Sequence, residues 1–185
     1  MLSETCRRVV VIGIGNEFRS DDAAGLLAAR RLRTALRNAA DVLEHVSEGT
    51  LLFELWEDAD LVFLIDAVDS SNPPGTIHRI DLTKQTPAEL PHMRSTHSLG
   101  VPESLRIARM LGKIPNDLKF YGIEGESFAD GISVTPEVGR AIAAVAGEIE
   151  QDILGHRFEK SDMKISSKKG MRKHDQHQGA IYPSE

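Results

Sequence analysis

Three side chains far apart in the chain, Asp22, Asp66 and His97, are of types that could share one divalent cation. Two carboxylates and an imidazole offer oxygen and nitrogen donors, a set that suits a divalent transition metal. Three protein donors leave positions open for a water or an incoming substrate, as catalytic sites do and closed structural sites do not. Each of the three stands where a strand is expected to give way to a loop or a helix to begin. In an open parallel sheet those positions converge on one rim.

Plainer roles compete for the same residues. Asp21 and Asp22 would complement a helix dipole, Asp66 would cap the Ala67–Asp69 turn, and His97 would cap the helix that follows it. Neighbouring helical residues point about 100° apart, so Asp21 and Asp22 cannot both face one site. One is expected to cap while the other binds. A helix N-terminus disfavours imidazolium, which keeps His97 neutral and able to coordinate. Asp69 reads as a loop residue or a partner of a ligand. His45, His78 and His92 are expected at the surface, and His156, His174 and His177 in a solvated tail.

The elements that would position these groups follow from the apolar pattern. Val9–Ile12 and Leu61–Ile65 are continuous apolar runs, the signature of strands buried on both faces. The first closes on Gly13-Ile14-Gly15-Asn16 and the second on Asp66. Ser20 and Asp21 are expected to cap a helix to about Leu36, whose stripe is Gly25, Ala28, Ala29, Leu32 and Leu36. Further strands are expected over Asp41–Val46, Thr76–Asp81 and Leu118–Ile123, with a short helix over Phe53–Asp58. Helices are also expected from Ser98 to about Leu111 and from Pro136 onward, with Pro102 and Pro136 in first turns where a missing N–H does no harm. Strands alternating with helices, with interior strands apolar on both sides, predict a doubly wound α/β domain whose mostly parallel sheet lies between helices. That single domain is expected over residues 1–155. Beyond Gly155 the periodicity stops, and residues 156–185 read as a basic, disordered tail.

Composition excludes several functions. The chain has 185 residues and a net charge of −6, but His156 to Glu185 carries seven Lys/Arg against four Asp/Glu, so the preceding body is near −9. An acidic body is a poor partner for nucleic acid, whose affinity rests on basic patches. The apolar runs are far too short to span a bilayer, and the N-terminus lacks the apolar core of a secretory signal. A single cysteine, Cys6, allows no internal disulfide, and a reducing cytoplasm is the expected compartment. Gly13-x-Gly15 after a first strand invites a dinucleotide, but the third glycine of that fingerprint is replaced by Phe18, and the carboxylates that follow would repel a pyrophosphate. No nucleotide is expected. Neither a Gly-x-Ser-x-Gly elbow nor a His-Glu-x-x-His pair is present.

Four segments occur in order: Gly13-Ile14-Gly15-Asn16 with Asp22, Leu64-Ile65-Asp66-Ala67, Thr96-His97-Ser98-Leu99-Gly100, and Ser133-Val134-Thr135-Pro136-Glu137-Val138. Together, over about Val9 to Leu154, they resemble the [NiFe]-hydrogenase maturation endopeptidases. The resemblance implies a small cytoplasmic α/β protease that removes the C-terminal extension of a nickel-loaded hydrogenase large-subunit precursor. The sequence does not give the oligomeric state, and a monomer contacting its precursor is the default expectation. The resemblance also implies that Asp22, Asp66 and His97 contact the metal and carry catalysis, with nickel delivered in the precursor. A nickel-sensing chaperone that binds the precursor without cutting it is the alternative. Relatives commonly carry an Asp-Gly-Gly turn after the second strand. Here Ser47-Glu48-Gly49-Thr50 replaces it, so Glu48 and Thr50 are the candidates for any substrate recognition at that place.

Overall fold

The computed structural model describes residues 7–45, 52–84 and 101–170, with side chains as far as residue 155. Five strands form one sheet in the order β2-β1-β3-β5-β4. They are β1 (Val9–Ile14), β2 (Asp41–His45), β3 (Leu61–Val68), β4 (Ile77–Asp81) and β5 (Asp117–Glu124). All neighbours are parallel except β4, which runs antiparallel to β5. The helices are α1 (Ala24–Leu36), α2 (Val101–Met110) and α3 (Pro136–Gly170), with 3-10 turns at Ser20–Ala23 and Leu52–Trp56.

The runs expected to be buried on both faces are so. Val10, Ile12 and Ile14 of β1 join Leu52, Phe53 and Trp56 and the α2 residues Leu105 and Ala108 in one core cluster. The other face of β1 meets α1: a Cβ on Gly13 would lie 2.1 Å from the Gly25 carbonyl oxygen and 2.6 Å from the Ala29 methyl. Gly13 and Gly25 therefore let the helix lie directly on the strand. The whole expected stripe of α1, from Gly25 through Leu36, is buried. At about 1.5–3 kcal/mol for each large apolar side chain buried, these two faces supply most of the driving force for the layered fold.

Besides shifts of one or two residues at the ends of other elements, three departures from the expected limits bear on the site or the tail. Pairing with β5 carries β3 on past Asp66 to Val68, because Asp66 opposes Gly122 and Val68 opposes Glu124. The first helix begins as a 3-10 turn at Ser20–Ala23, and no side chain caps either it or α1. The chain divides into two compact units, Met1–Glu150 and Gln151–Glu185. The helix that begins at Pro136 runs beyond Gly155 to Gly170. The first part of the expected tail is therefore helical; it holds Glu, Lys and Met, good helix formers, and no proline.

Candidate functional site

Chain order makes β1 and β3 the point where the sheet changes direction of growth: β2 is added on one side of β1 and β3 on the other. A crevice opens at such a point beyond the carboxyl ends of the strands. Here β1 pairs with β3 only as far as Gly13 opposite Ile65. Asp66 is the next residue of β3, and the connection from β1 to α1 crosses the same rim with Asp22 on it.

That connection is held by its own backbone. A Cβ on Gly15 would lie 2.0 Å from the Asp22 carbonyl oxygen, so glycine is needed for the exit of β1 to pass against it. The same carbonyl accepts the Asn16 N–H at 3.2 Å, and the Asp22 N–H donates to the Arg19 carbonyl at 3.1 Å. Ser20 has a φ of 49°, a left-handed conformation for a residue with a side chain. Its N–H donates to the Gly131 carbonyl at 2.9 Å, which holds it there.

The two adjacent aspartates separate into different roles, as their helical offset requires. Asp21 is fully buried and does not cap its own helix. Its Oδ2 accepts the backbone N–H groups of Glu126 and Ser127, both at 3.0 Å, and the Thr135 hydroxyl at 3.2 Å. Its Oδ1 accepts the Thr135 N–H at 2.6 Å. This carboxylate thus ties the rim after β1 to the loop after β5 and to the start of α3.

Asp22 is 1% exposed and Asp66 4%. The Asp66 carboxyl is pushed up to about 8, first by burial in a low-dielectric interior and then by repulsion from the Asp22 carboxylate. A hydrogen bond from the Ala67 backbone opposes the rise without cancelling it. Oδ1 of Asp66 is buried and has no hydrogen-bond partner among the described residues. A buried carboxylate oxygen in that condition is costly, and the ordinary remedies are a proton or a cation. Two carboxyl groups that repel one another, one with an unfilled oxygen, fit a divalent ion. His97, Glu48 and Thr50 lie outside the described residues. The structure therefore brings Asp22 and Asp66 together and leaves the third expected ligand unplaced. Among the described residues no group of three His, Cys, Asp or Glu side chains is assembled.

A further buried carboxylate on this rim, Glu124, escaped the sequence reading. Glu124 ends β5 as Asp66 nearly ends β3, so the same signal, an acid at the end of an apolar strand, was available. Its Oε1 accepts the N–H groups of Ser70 at 2.7 Å and Asn72 at 3.1 Å. Its Oε2 accepts the Ser70 hydroxyl at 2.7 Å and lies 3.0 Å from His78 Nε2. His78, expected at the surface, is instead partly buried against this carboxylate. Ser70, His78 and Glu124 are not a nucleophile triad. The imidazole presents the same nitrogen to both partners, with Ser70 Oγ at 3.5 Å, and so cannot relay a proton between them.

Residues 27–152 match the family model described as hydrogenase maturation protease; the match includes Asp66 and His97 but begins after Asp22. The hydrogenase 2 maturation protease of Escherichia coli is 31% identical over 134 residues, 71% of this chain and 81% of the relative. A hydrogenase expression/formation protein of Thiocapsa roseopersicina is 30% identical over 138 residues, 72% of this chain. The matched region spans 62% of that relative's length. The solved structure of a hydrogenase maturating endopeptidase from E. coli superposes with a TM-score of 0.63 at 26% identity, covering 77% of this chain and 89% of the other.

Proposed function

The chain belongs to the hydrogenase maturation protease family, and from that premise we propose that it is a metal-dependent endopeptidase. Its substrate is a nickel-loaded hydrogenase large-subunit precursor, from which it removes the C-terminal extension. The same reading has it working as a monomer in the cytoplasm. The observation that carries the proposal is the Asp22–Asp66 pair, buried, mutually repelling and with an unfilled oxygen. A carboxylate pair of that kind is poised for a cation that arrives with its substrate.

The nickel of the precursor, gripped by Asp22, Asp66 and His97, would polarise the scissile carbonyl and lower the pKa of an attacking water. The protein's own contribution is positional and electrostatic. Engagement of a cation would favour the ionised form of Asp66, its proton passing to solvent, since the raised pKa reflects burial and a like charge that a cation would offset. Gly15 and the Asp21 bonds fix the rim on which Asp22 stands, so the pair needs no large rearrangement to act. No permanent ion is required, and an unloaded precursor would leave the site incomplete. Loading is thereby checked before cutting.

The test is precursor processing followed on a gel, with Asp22→Ala, Asp66→Ala and His97→Ala compared with the unaltered chain. Each substitution is expected to slow peptide release by ~10²-fold or more, the scale for removal of a metal-site interaction. Undiminished cleavage by all three would contradict the proposal. A stable complex with the precursor that never releases the peptide would instead favour a chaperone.

A further inference from the structure

Four large apolar side chains stand exposed among the described residues, and two of them, Phe18, 65% exposed, and Ile132, 83% exposed, stand on two segments that a backbone bridge joins at the rim beyond the strands. They come from segments over a hundred residues apart. Arg19 and Gly131 form a parallel bridge. The Gly131 N–H donates to the Phe18 carbonyl at 2.9 Å, and Arg19 Nη2 donates to the Phe128 carbonyl at 3.1 Å. A Cβ on Gly131 would lie 2.6 Å from Ser20 Oγ, so the two segments touch. Asp21 fastens both from below through Glu126, Ser127 and Thr135. Two exposed apolar side chains on a backbone already held by these hydrogen bonds are available for contact, and the prior bonding lowers the ordering cost of binding there.

The charge around them narrows the partner. Glu126 and Asp130, on the loop that leads to Ile132, are exposed and make no ion pair among the described residues. Arg19, beside Phe18, contributes one guanidinium, whose Nη2 is taken up by the Phe128 carbonyl, so the charge around the two apolar side chains is two carboxylates against one cation. That net negative charge complements an extended peptide that carries an apolar side chain beside a cationic one. We propose that Phe18 and Ile132 grip the precursor segment next to the bond to be cut, with Glu126 and Asp130 selecting a basic residue in it. This rests on the function proposed above, and deepens it by assigning substrate-binding residues outside the metal centre.

The experiment uses the full chain and a nickel-loaded large-subunit precursor, with Phe18→Ser/Ile132→Ser and Glu126→Gln/Asp130→Asn as double variants. Met110→Ser/Leu111→Ser serves as the control, since those two exposed residues lie at the end of α2, before β5 begins. The apolar double variant is expected to raise KM for processing ~10-fold or more with kcat within about twofold, the mark of lost ground-state binding. The acid-to-amide variant is expected to raise KM ~3-fold or more, and more at low salt than at high. The control should leave both constants unchanged. Circular dichroism and the thermal midpoint should match the parent in every case. Binding is measured in parallel with Asp66→Asn as background, so that cleavage is not needed to read it. Cleavage by the parent with unchanged KM in the apolar variant overturns this inference and spares the proposed function. Absence of cleavage, with precursor binding weakened by the apolar variant, does the reverse. A parent that neither cuts nor binds the precursor overturns both.

Discussion

Asp66 and Glu124 sit two residues out of register on neighbouring parallel strands, both buried, both at the carboxyl end of the sheet, yet their surroundings are opposite. Glu124 is surrounded by donors from Ser70, Asn72 and His78, and these hold its carboxyl below the usual range although burial acts the other way. Asp66 has one backbone donor, an unfilled oxygen and a like charge beside it, and its carboxyl is pushed up to about 8. The first carboxylate holds the loop after β3 in place. The second is unstable as an anion unless something positive comes. A buried acid's donor count therefore separates the groups that build the rim from the group that acts on it.

The largest effect expected from this contrast is on activity. Asp66→Asn keeps the shape of the side chain but removes the charge, and should slow precursor processing ~10³-fold, about 4 kcal/mol in the barrier. In the metal-free protein the same change should leave stability equal or higher at pH 8, because it removes a buried like-charge pair. Urea midpoints and single-turnover gels on one preparation read both. A loss of stability together with activity would place Asp66 among the structural acids.

Glu124→Ala should show the opposite pattern. It strands the Ser70 and Asn72 donors and the His78 ring, at a cost of about 2–4 kcal/mol in unfolding free energy. Processing per folded molecule should stay within a few-fold of the parent. Asp21→Ala belongs to the same class, since four hydrogen bonds converge on that side chain. A loss of about 2–3 kcal/mol is expected from denaturant titration.

A smaller effect is the pH dependence. The Asp66 carboxyl ionises near 3.8 when the chain is unfolded and near 8 when it is folded and metal-free. Between those values the unfolded chain has lost a proton that the folded one keeps, so rising pH favours unfolding. The contribution of Asp66 to stability is thus present at low pH and declines from about pH 4 to about pH 8. It should appear as the difference between urea midpoints of the parent and Asp66→Asn across that window. Parallel curves would mean that the carboxylate is not perturbed in the folded protein.

Why some of this was legible in the sequence and some was not has a physical explanation. Val9–Ile12 and Leu61–Ile65 are apolar on both faces because helices cover both, so their unbroken hydrophobicity announced central strands. Asp66 stood out as the charge that ends such a run. The α1 stripe was visible because a helix buries one face with a fixed period. What stayed hidden depends on partners distant in the chain. Asp21 read as a helix cap because the donors it satisfies lie more than a hundred residues away. His78 read as a surface residue because its partner, Glu124, belongs to another strand. The length of β3 was set by its register with β5 and not by its own composition. The helix beyond Gly155 lacks an amphipathic period, so its propensity alone gave too little signal.

The most direct test is a crystal structure of the protein grown with nickel or cadmium, using anomalous scattering to locate the ion. One peak bonded to carboxylate oxygens of Asp22 and Asp66 and to a ring nitrogen of His97 is the predicted result. A His97 ring facing another surface, with no ion between the two aspartates, would contradict the account.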